Sequence, residues 1–237
     1  VLYRVVQLLL RPLFGLYFRW RFEDFHHLPK AGPAILAPNH VNYLDPLIIG
    51  AAVPRPIHFM AKQELFQNRA LAWLLRKVYA FPVKRGQPDR QSIRHALKML
   101  EEGHVVGIYP EGTRSDTGEL QDGKAGVAMI ALKSGAPVVP MAVVGLERAL
   151  DSGGRRLPRR SAITLRMGPP LTFERVERLD RATLHRAAEE VHRAIAALLP
   201  GGAEAGNGSG EALDAGPASP DNSPLGRKGY ATGGKEV

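Results

Sequence analysis

Ala34-Ile35-Leu36-Ala37-Pro38-Asn39-His40-Val41-Asn42-Tyr43-Leu44-Asp45-Pro46 runs from an unbroken apolar stretch through a polar loop into a helix start. Ala34–Ala37 reads as a buried strand, because it is short and apolar on every side. Pro46 is the mark of a first helical turn, Asp45 before it is the N-cap candidate, and the apolar residues to Ala52 continue the helix. A buried strand that leaves through a polar loop into a helix, if repeated along the chain, makes an α/β fold with a largely parallel sheet.

The pattern does repeat. Ile57–Ala61, His104–Tyr109, Val138–Val144 and Ile163–Met167 read as strands. Leu71–Val78, Asp89–Glu102, Lys124–Lys133 and Ala182–Leu199 read as helices. In Asp89–Glu102 the residues Ile93, Ala96, Leu97 and Leu100 line one face, and Gly103 supplies the stop. A chain of 237 residues with a 44% hydrophobic share suits a single α/β domain, expected over residues 23–200, its central sheet flanked by helices. From Gly201 onward Gly, Ala, Ser, Pro and Asn dominate, so residues 201–237 are expected to be a disordered tail.

Residues 1–22 form the most apolar segment. Arg4, Gln7, Arg11 and Gly15 recur at helical spacing and leave a wide apolar face opposite. Arg4, Arg11 and Arg19 make a membrane-spanning helix costly, and no small-residue cleavage site of a signal peptide follows. Pro12 is expected to kink the helix or divide it in two. Tyr17, Phe18, Trp20 and Phe22, mixed with Arg19 and Arg21, suit the headgroup level of a bilayer, so residues 1–22 are expected to be amphipathic membrane-interface helices.

The chain has no cysteine, which excludes disulfides, thiolate metal sites and cysteine nucleophiles. The formal net charge is +9, and with five acids against three bases from Gly201 onward, residues 1–200 carry +11. So basic a domain points to a polyanionic partner. Aromatic residues interleaved with bases are sparse after the first segment, which disfavours nucleic acid. Arg155, Arg156, Arg159 and Arg160 form a basic loop, either simply solvated or a contact for acidic headgroups or an acidic carrier.

Four stretches carry the chemistry. His40 lies in a loop and Asp45 at a helix start, so the two can meet although they are five residues apart. A carboxylate beside an imidazole fixes its tautomer and stabilises the imidazolium, and the neutral ring takes a proton near neutral pH. There is no Gly-x-Ser-x-Gly elbow, which disfavours a hydrolase, so such a pair would act on a substrate hydroxyl; a purely structural pair is the alternative. Tyr109-Pro110-Glu111-Gly112-Thr113-Arg114-Ser115 follows a strand, where α/β proteins place ligands, and Arg114 offers a planar fork suited to phosphate. Gly112 allows close backbone approach, and Glu111 can hold that arginine or the loop. Phe81-Pro82-Val83-Lys84-Arg85-Gly86 places two bases beside a glycine as a second phosphate contact. Val138-Val139-Pro140-Met141-Ala142-Val143 reads as core.

In this order the stretches resemble the four motifs of the glycerolipid acyltransferase family, and Ala61-Lys62-Gln63-Glu64-Leu65-Phe66 resembles a further segment of it. The resemblance covers residues 22–199 and departs at Asn42, often Ser in the family, at Tyr109, commonly Phe, and at Lys84, often acidic. It implies an α/β fold with His40 as general base and Asp45 as its orienting partner. Arg85, Glu111, Gly112, Thr113 and Arg114, with Lys84 assisting, would bind the glycerol phosphate of the acceptor. The implied reaction moves a fatty acyl group from acyl-CoA or acyl-carrier protein to the sn-2 hydroxyl of a lysophospholipid, with no covalent intermediate, cofactor or metal. The expected setting is peripheral, on an anionic membrane surface at the cytoplasmic face of the cell membrane. The rival readings are acylation of another lysolipid or of glycerol 3-phosphate, and a non-catalytic lipid-binding protein.

Overall fold

The computed structural model describes residues 2–84, 89–115, 119–149 and 158–202. In chain order the elements are α1 (Leu2–Tyr17), β1 (Arg19–Glu23), β2 (Ala34–Pro38), α2 (Asp45–Ala52), β3 (Ile57–Lys62) and α3 (Arg69–Lys77). They continue with β4 (Phe81–Val83), α4 (Arg90–Glu101), β5 (Val105–Gly107), α5 (Gly126–Ser134), β6 (Val138–Val144), β7 (Ala162–Met167) and α6 (Arg181–Ala196). Short 3-10 turns follow β1 and β3. All seven strands join one sheet in the order β1-β7-β6-β2-β5-β3-β4. The five from β6 to β4 are mutually parallel, β7 is antiparallel to β6, and β1 runs parallel to β7.

Every residue of β2 is buried, as a strand covered on both faces requires. Leu36 packs into a core with Ile48 and Ile49 of α2, Met141 and Leu165. Its neighbours Ile35 and Ala37 pack into a second core with Leu100 of α4, Ile130 of α5 and Val191 of α6. The sheet therefore lies between two layers: α1, α2 and α3 on one face, by packing and by right-handed crossover, and α4, α5 and α6 on the other. The chain moves from β2 outward to β3 and β4, then returns to β5 and β6 on either side of β2. The carboxyl ends of β2 and β5 thus lie side by side at the point where strand order reverses.

Among the described residues three helices are capped at their N-termini by side chains. Asp89 accepts the Gln91 and Ser92 N–H groups at 3.1 Å each, Asn68 caps α3 and Asp180 caps α6. Gly135, at φ +70°, closes α5 through a bond from its N–H to the Ala131 carbonyl.

The N-terminal segment departs from expectation in two ways. First, α1 is one continuous helix with Pro12 inside it. Pro12 lies on the exposed side, where a carbonyl freed by the missing N–H can be solvated. Second, Arg19–Glu23 is not interfacial helix but the edge strand β1, paired with β7 from Arg19↔Ala162 to Glu23↔Arg166. The helix seats through Tyr3, Gln7 and Phe14, while Arg11 and Gly15 of its polar stripe stay exposed. Gln7 donates to the Gly50 and Val53 carbonyls at 3.0 and 2.6 Å, and Arg4 to the Pro54 carbonyl at 2.8 Å, serving the open carboxyl end of α2. Leu8, Leu9, Leu13 and Leu16 then point outward, 57–80% exposed. The tail beyond residue 202 lies outside the described residues.

At the β3 edge His58 lies between Tyr79 and His104 with ring centroids 4.9 and 4.8 Å away. Burial, then the nearby His104 and His95, lower its pKa to about 4. The folded state thus holds a neutral ring that the unfolded chain would protonate below about 6.5. The stability this contributes is complete above pH 6.5 and is lost as the pH falls toward 4, at most on the order of 3 kcal/mol. Urea unfolding between pH 7 and 4 is expected to show that loss, and His58→Phe to flatten it; an unchanged slope removes His58 as its source.

Candidate active site

The loop leaving β2 is locked before it presents its histidine. The Asn39 side chain accepts from the Val143 N–H at 2.7 Å and donates to the Val143 carbonyl at 3.1 Å, clamping the loop to β6. His40 Nδ1 lies 2.7 Å from Asp45 Oδ2. The same oxygen accepts the Val41 and Asn42 N–H groups at 2.8 and 2.9 Å. Asp45 is therefore not the N-cap expected of it: it is the first residue of α2, Leu44 takes the cap position, and the carboxylate reaches back into the loop. Its Oδ1 is buried without a hydrogen-bond partner, so the group is oriented wholly through Oδ2. An oxygen that accepts from two backbone N–H groups also accepts from His40, which assigns the proton to Nδ1 and leaves Nε2 with its lone pair.

The imidazole rests on Tyr109, centroids 4.0 Å apart and planes 23° from parallel, and Tyr109 rests on Phe59. Gly107 makes this stack possible: a Cβ there would lie 2.4 Å from the Phe59 ring. The ring is buried apart from 5% of the residue surface.

The loop leaving β5 braces the first. Glu111 is 1% exposed; Oε1 accepts the His40 N–H at 2.7 Å and Oε2 the Gln121 N–H at 3.1 Å. Burial raises its carboxyl above the usual range, countered by those two N–H groups. Both oxygens accept from backbone N–H groups, so Glu111 holds the loop. Ser115 N–H donates to the His40 carbonyl at 2.8 Å, closing the two loops against each other. Gly112 takes the left-handed φ of +66° that the turn requires.

Arg114 is brought to the same edge. Its guanidinium carbon stands 3.3 Å from the centre of the Tyr43 ring, so the residue between His40 and Asp45 supports the arginine by a cation–π stack. Lys124, which the sequence did not single out, joins it. A Cβ built on Gly112 would lie 3.0 Å from Lys124 Nζ, and the Lys124 N–H donates to the Pro110 carbonyl at 2.8 Å. No carboxylate among the described residues pairs with Arg114 or Lys124. Thr113 is exposed beside them. Lys84 follows β4, two strands beyond β5 or roughly 10 Å along the edge, and Asp89 accepts its backbone N–H. Arg85 lies outside the described residues, as do Arg155 and Arg156. Arg160 donates to the Leu16 carbonyl at 3.2 Å, next to the end of α1. The described residues contain no group of three acidic or histidine side chains able to hold a metal.

The acyltransferase family profile matches residues 19–144, from β1 to the end of β6, and so takes in both loops and the Asn39 clamp. The chain belongs to the acyltransferase family. Among its relatives is the 1-acyl-sn-glycerol-3-phosphate acyltransferase of Bacillus subtilis, 39% identical over 146 residues, covering 61% of this chain and 70% of that one. Another is the chloroplastic 1-acyl-sn-glycerol-3-phosphate acyltransferase LPAT1 of Arabidopsis thaliana, 24% identical over 178 residues. That match takes in 74% of this acyltransferase but only 50% of the plant protein. The fold is that of the 1-acyl-sn-glycerophosphate acyltransferase PlsC of Thermotoga maritima, with a TM-score of 0.67, 24% identity and coverage of 86% and 80% of the two chains.

Proposed function

We propose that this acyltransferase moves a fatty acyl group from acyl-CoA or acyl-carrier protein to the sn-2 hydroxyl of 1-acyl-sn-glycerol-3-phosphate, giving phosphatidate. The observation that carries the reading is the buried His40–Asp45 contact of 2.7 Å at the edge where Arg114 and Lys124 stand unpaired among the described residues. The relatives named above act on this acceptor by their names.

In this reading Nε2 of His40 takes the acceptor proton as the hydroxyl oxygen attacks the thioester carbonyl. The C–O bond forms, the C–S bond breaks, and the departing thiolate recovers the proton from the imidazolium. Asp45 holds the ring and stabilises its charged form. Arg114 and Lys124 bind the acceptor's phosphate, Arg114 through its planar fork, and Lys84, Gly112 and Thr113 complete the rim, while Arg85 is assigned to the phosphate by the family resemblance alone. A thioester is reactive enough for direct attack, so no acyl-enzyme is required.

The membrane setting belongs to the same proposal. No helix among the described residues is long and apolar enough to cross a bilayer. A helix docked by Arg4 and Gln7 with four leucines turned outward suits burial in the acyl boundary of one leaflet. The enzyme then works peripherally, at the cytoplasmic face, where its acceptor resides.

The test is conversion of lysophosphatidate and an acyl thioester to phosphatidate by the purified protein. Arg114→Ala is expected to raise the acceptor KM by about 10–100-fold, the loss of a charge-assisted bond, with the donor KM unchanged. An unchanged acceptor KM removes the phosphate role.

A further inference from the structure

Exposed large apolar side chains are not scattered over this molecule. Among the described residues all of them fall between Val5 and Tyr79, on and around the α1–α2–α3 layer, and α4, α5 and α6 expose none. The same stretch of chain carries nine bases against four acids. The face is therefore apolar and basic together, and it extends well past α1.

The extension is α3. Ala72 is its only buried residue. At 100° per residue, Arg69, Trp73, Arg76 and Lys77 share one side of the helix, and Leu74 borders it. Trp73 is 57% exposed and Leu74 42%. The helix has no acidic residue, and none of its three cations has a carboxylate partner among the described residues. Arg76 also lies over the Phe66 ring, 5.8 Å from its centroid, but a water-facing surface gains nothing from an uncovered indole among cations that no carboxylate neutralises. An anionic lipid surface satisfies both, with the indole at headgroup depth and the long side chains reaching phosphates. Beyond the end of α3, Tyr79 is held at φ +65° and stacks 5.5 Å from Tyr3 of α1, so the two helices share a joint.

We propose that α3 is a second lipid contact, seating Trp73 in the headgroup layer of an anionic bilayer. The inference rests on the reading of α1 as lipid-facing, and assigns α3 a separate share of the binding. Two contacts flanking α2 hold the His40 loop at a fixed height over the surface that supplies its acceptor. An acidic protein partner would match the cations but leaves the outward leucines of the adjoining α1 without a role.

Trp20 and Trp73 are the only tryptophans, so Trp20→Phe makes Trp73 the sole reporter. With vesicles of phosphatidylglycerol and phosphatidylcholine, its emission is expected to shift to the blue and to be quenched by brominated acyl chains. In the otherwise intact chain, Trp73→Ser with Leu74→Ser is expected to weaken vesicle binding by about tenfold, the circular dichroism spectrum being retained. Protein that sediments with vesicles while Trp73 stays unshifted overturns the role of α3 and spares that of α1. Failure to sediment at all overturns both. A blue shift that grows with protein concentration in the absence of vesicles assigns the face to a second copy. One produced by acyl-carrier protein alone assigns it to a protein partner. Either result overturns the proposal.

Discussion

Replacing His40 by Ala is expected to lower the rate of acyl transfer by about 10²–10⁴-fold, the usual contribution of a positioned general base. The fold should survive, because Asp45 Oδ2 keeps its bonds from Val41 and Asn42, and Glu111 keeps its bond from the backbone N–H at position 40. Asp45→Asn separates orientation from charge. An amide oxygen in the place of Oδ2 can still accept those backbone bonds, yet it cannot stabilise an imidazolium. A loss on the order of 10²–10⁴-fold is expected there too. Initial rates on saturating acceptor, with thermal unfolding as the control for folding, decide the matter. Activity within tenfold of the parent in His40→Ala would show that another group takes the proton.

Glu111→Ala is expected to act on stability and activity at once. The carboxylate is buried and occupied by two backbone N–H groups, those of His40 and Gln121. Its removal leaves both without an acceptor in a dry site, at about 2–4 kcal/mol in total. Because one of them belongs to His40, the ring also loses its fixed height over Tyr109. Activity should fall more than a hundredfold, since a base misplaced by about 1 Å costs that much. Glu111→Gln should not rescue it: the amide offers one acceptor and turns a donor toward the other N–H. Urea unfolding and turnover measured on the same preparations test this. A Glu111→Ala protein that is stable but binds lysophosphatidate poorly would instead return the residue to the phosphate site.

Much of this was legible because the relevant signals are local. A fully apolar run of four residues, too short for a helix and set between Gly32-Pro33 and a polar loop, reads as a strand covered on both sides, and β2 is that strand. Helix α4 was legible in the periodicity of Ile93, Ala96, Leu97 and Leu100 and in the Gly103 stop, and it ends at Glu101. His40 and Asp45 stood out because a loop running into a helix can fold a five-residue separation back on itself. The same proximity misled at Asp45: a residue placed to cap α2 was drawn backward by three donors in the loop, which no spacing rule weighs.

What escaped was settled by groups distant in the chain. Arg19–Glu23 alternates polar and apolar residues over only five positions, a strand signal masked by the long helical pattern before it, and β7 offers the edge that makes it β1. Tyr43 and Lys124 are ordinary loop residues until Arg114 and Gly112 arrive beside them. The amphipathic pattern of α1 shows two sides but not which one faces in. The contacts of Tyr3 and Gln7 with α2 and of Phe14 with the core decided it, leaving Leu8, Leu9, Leu13 and Leu16 on the outer side. The sequence by itself determined the α/β class, the order of the motifs and the chemical character of the reactive pair, since these depend on near neighbours and residue type. Only the tertiary structure decided that Glu111 braces the loop, that Tyr43 supports Arg114 and that the leucines of α1 turn outward. Those outcomes rest on hydrogen bonds and contacts formed across the sheet, between residues the chain order keeps apart.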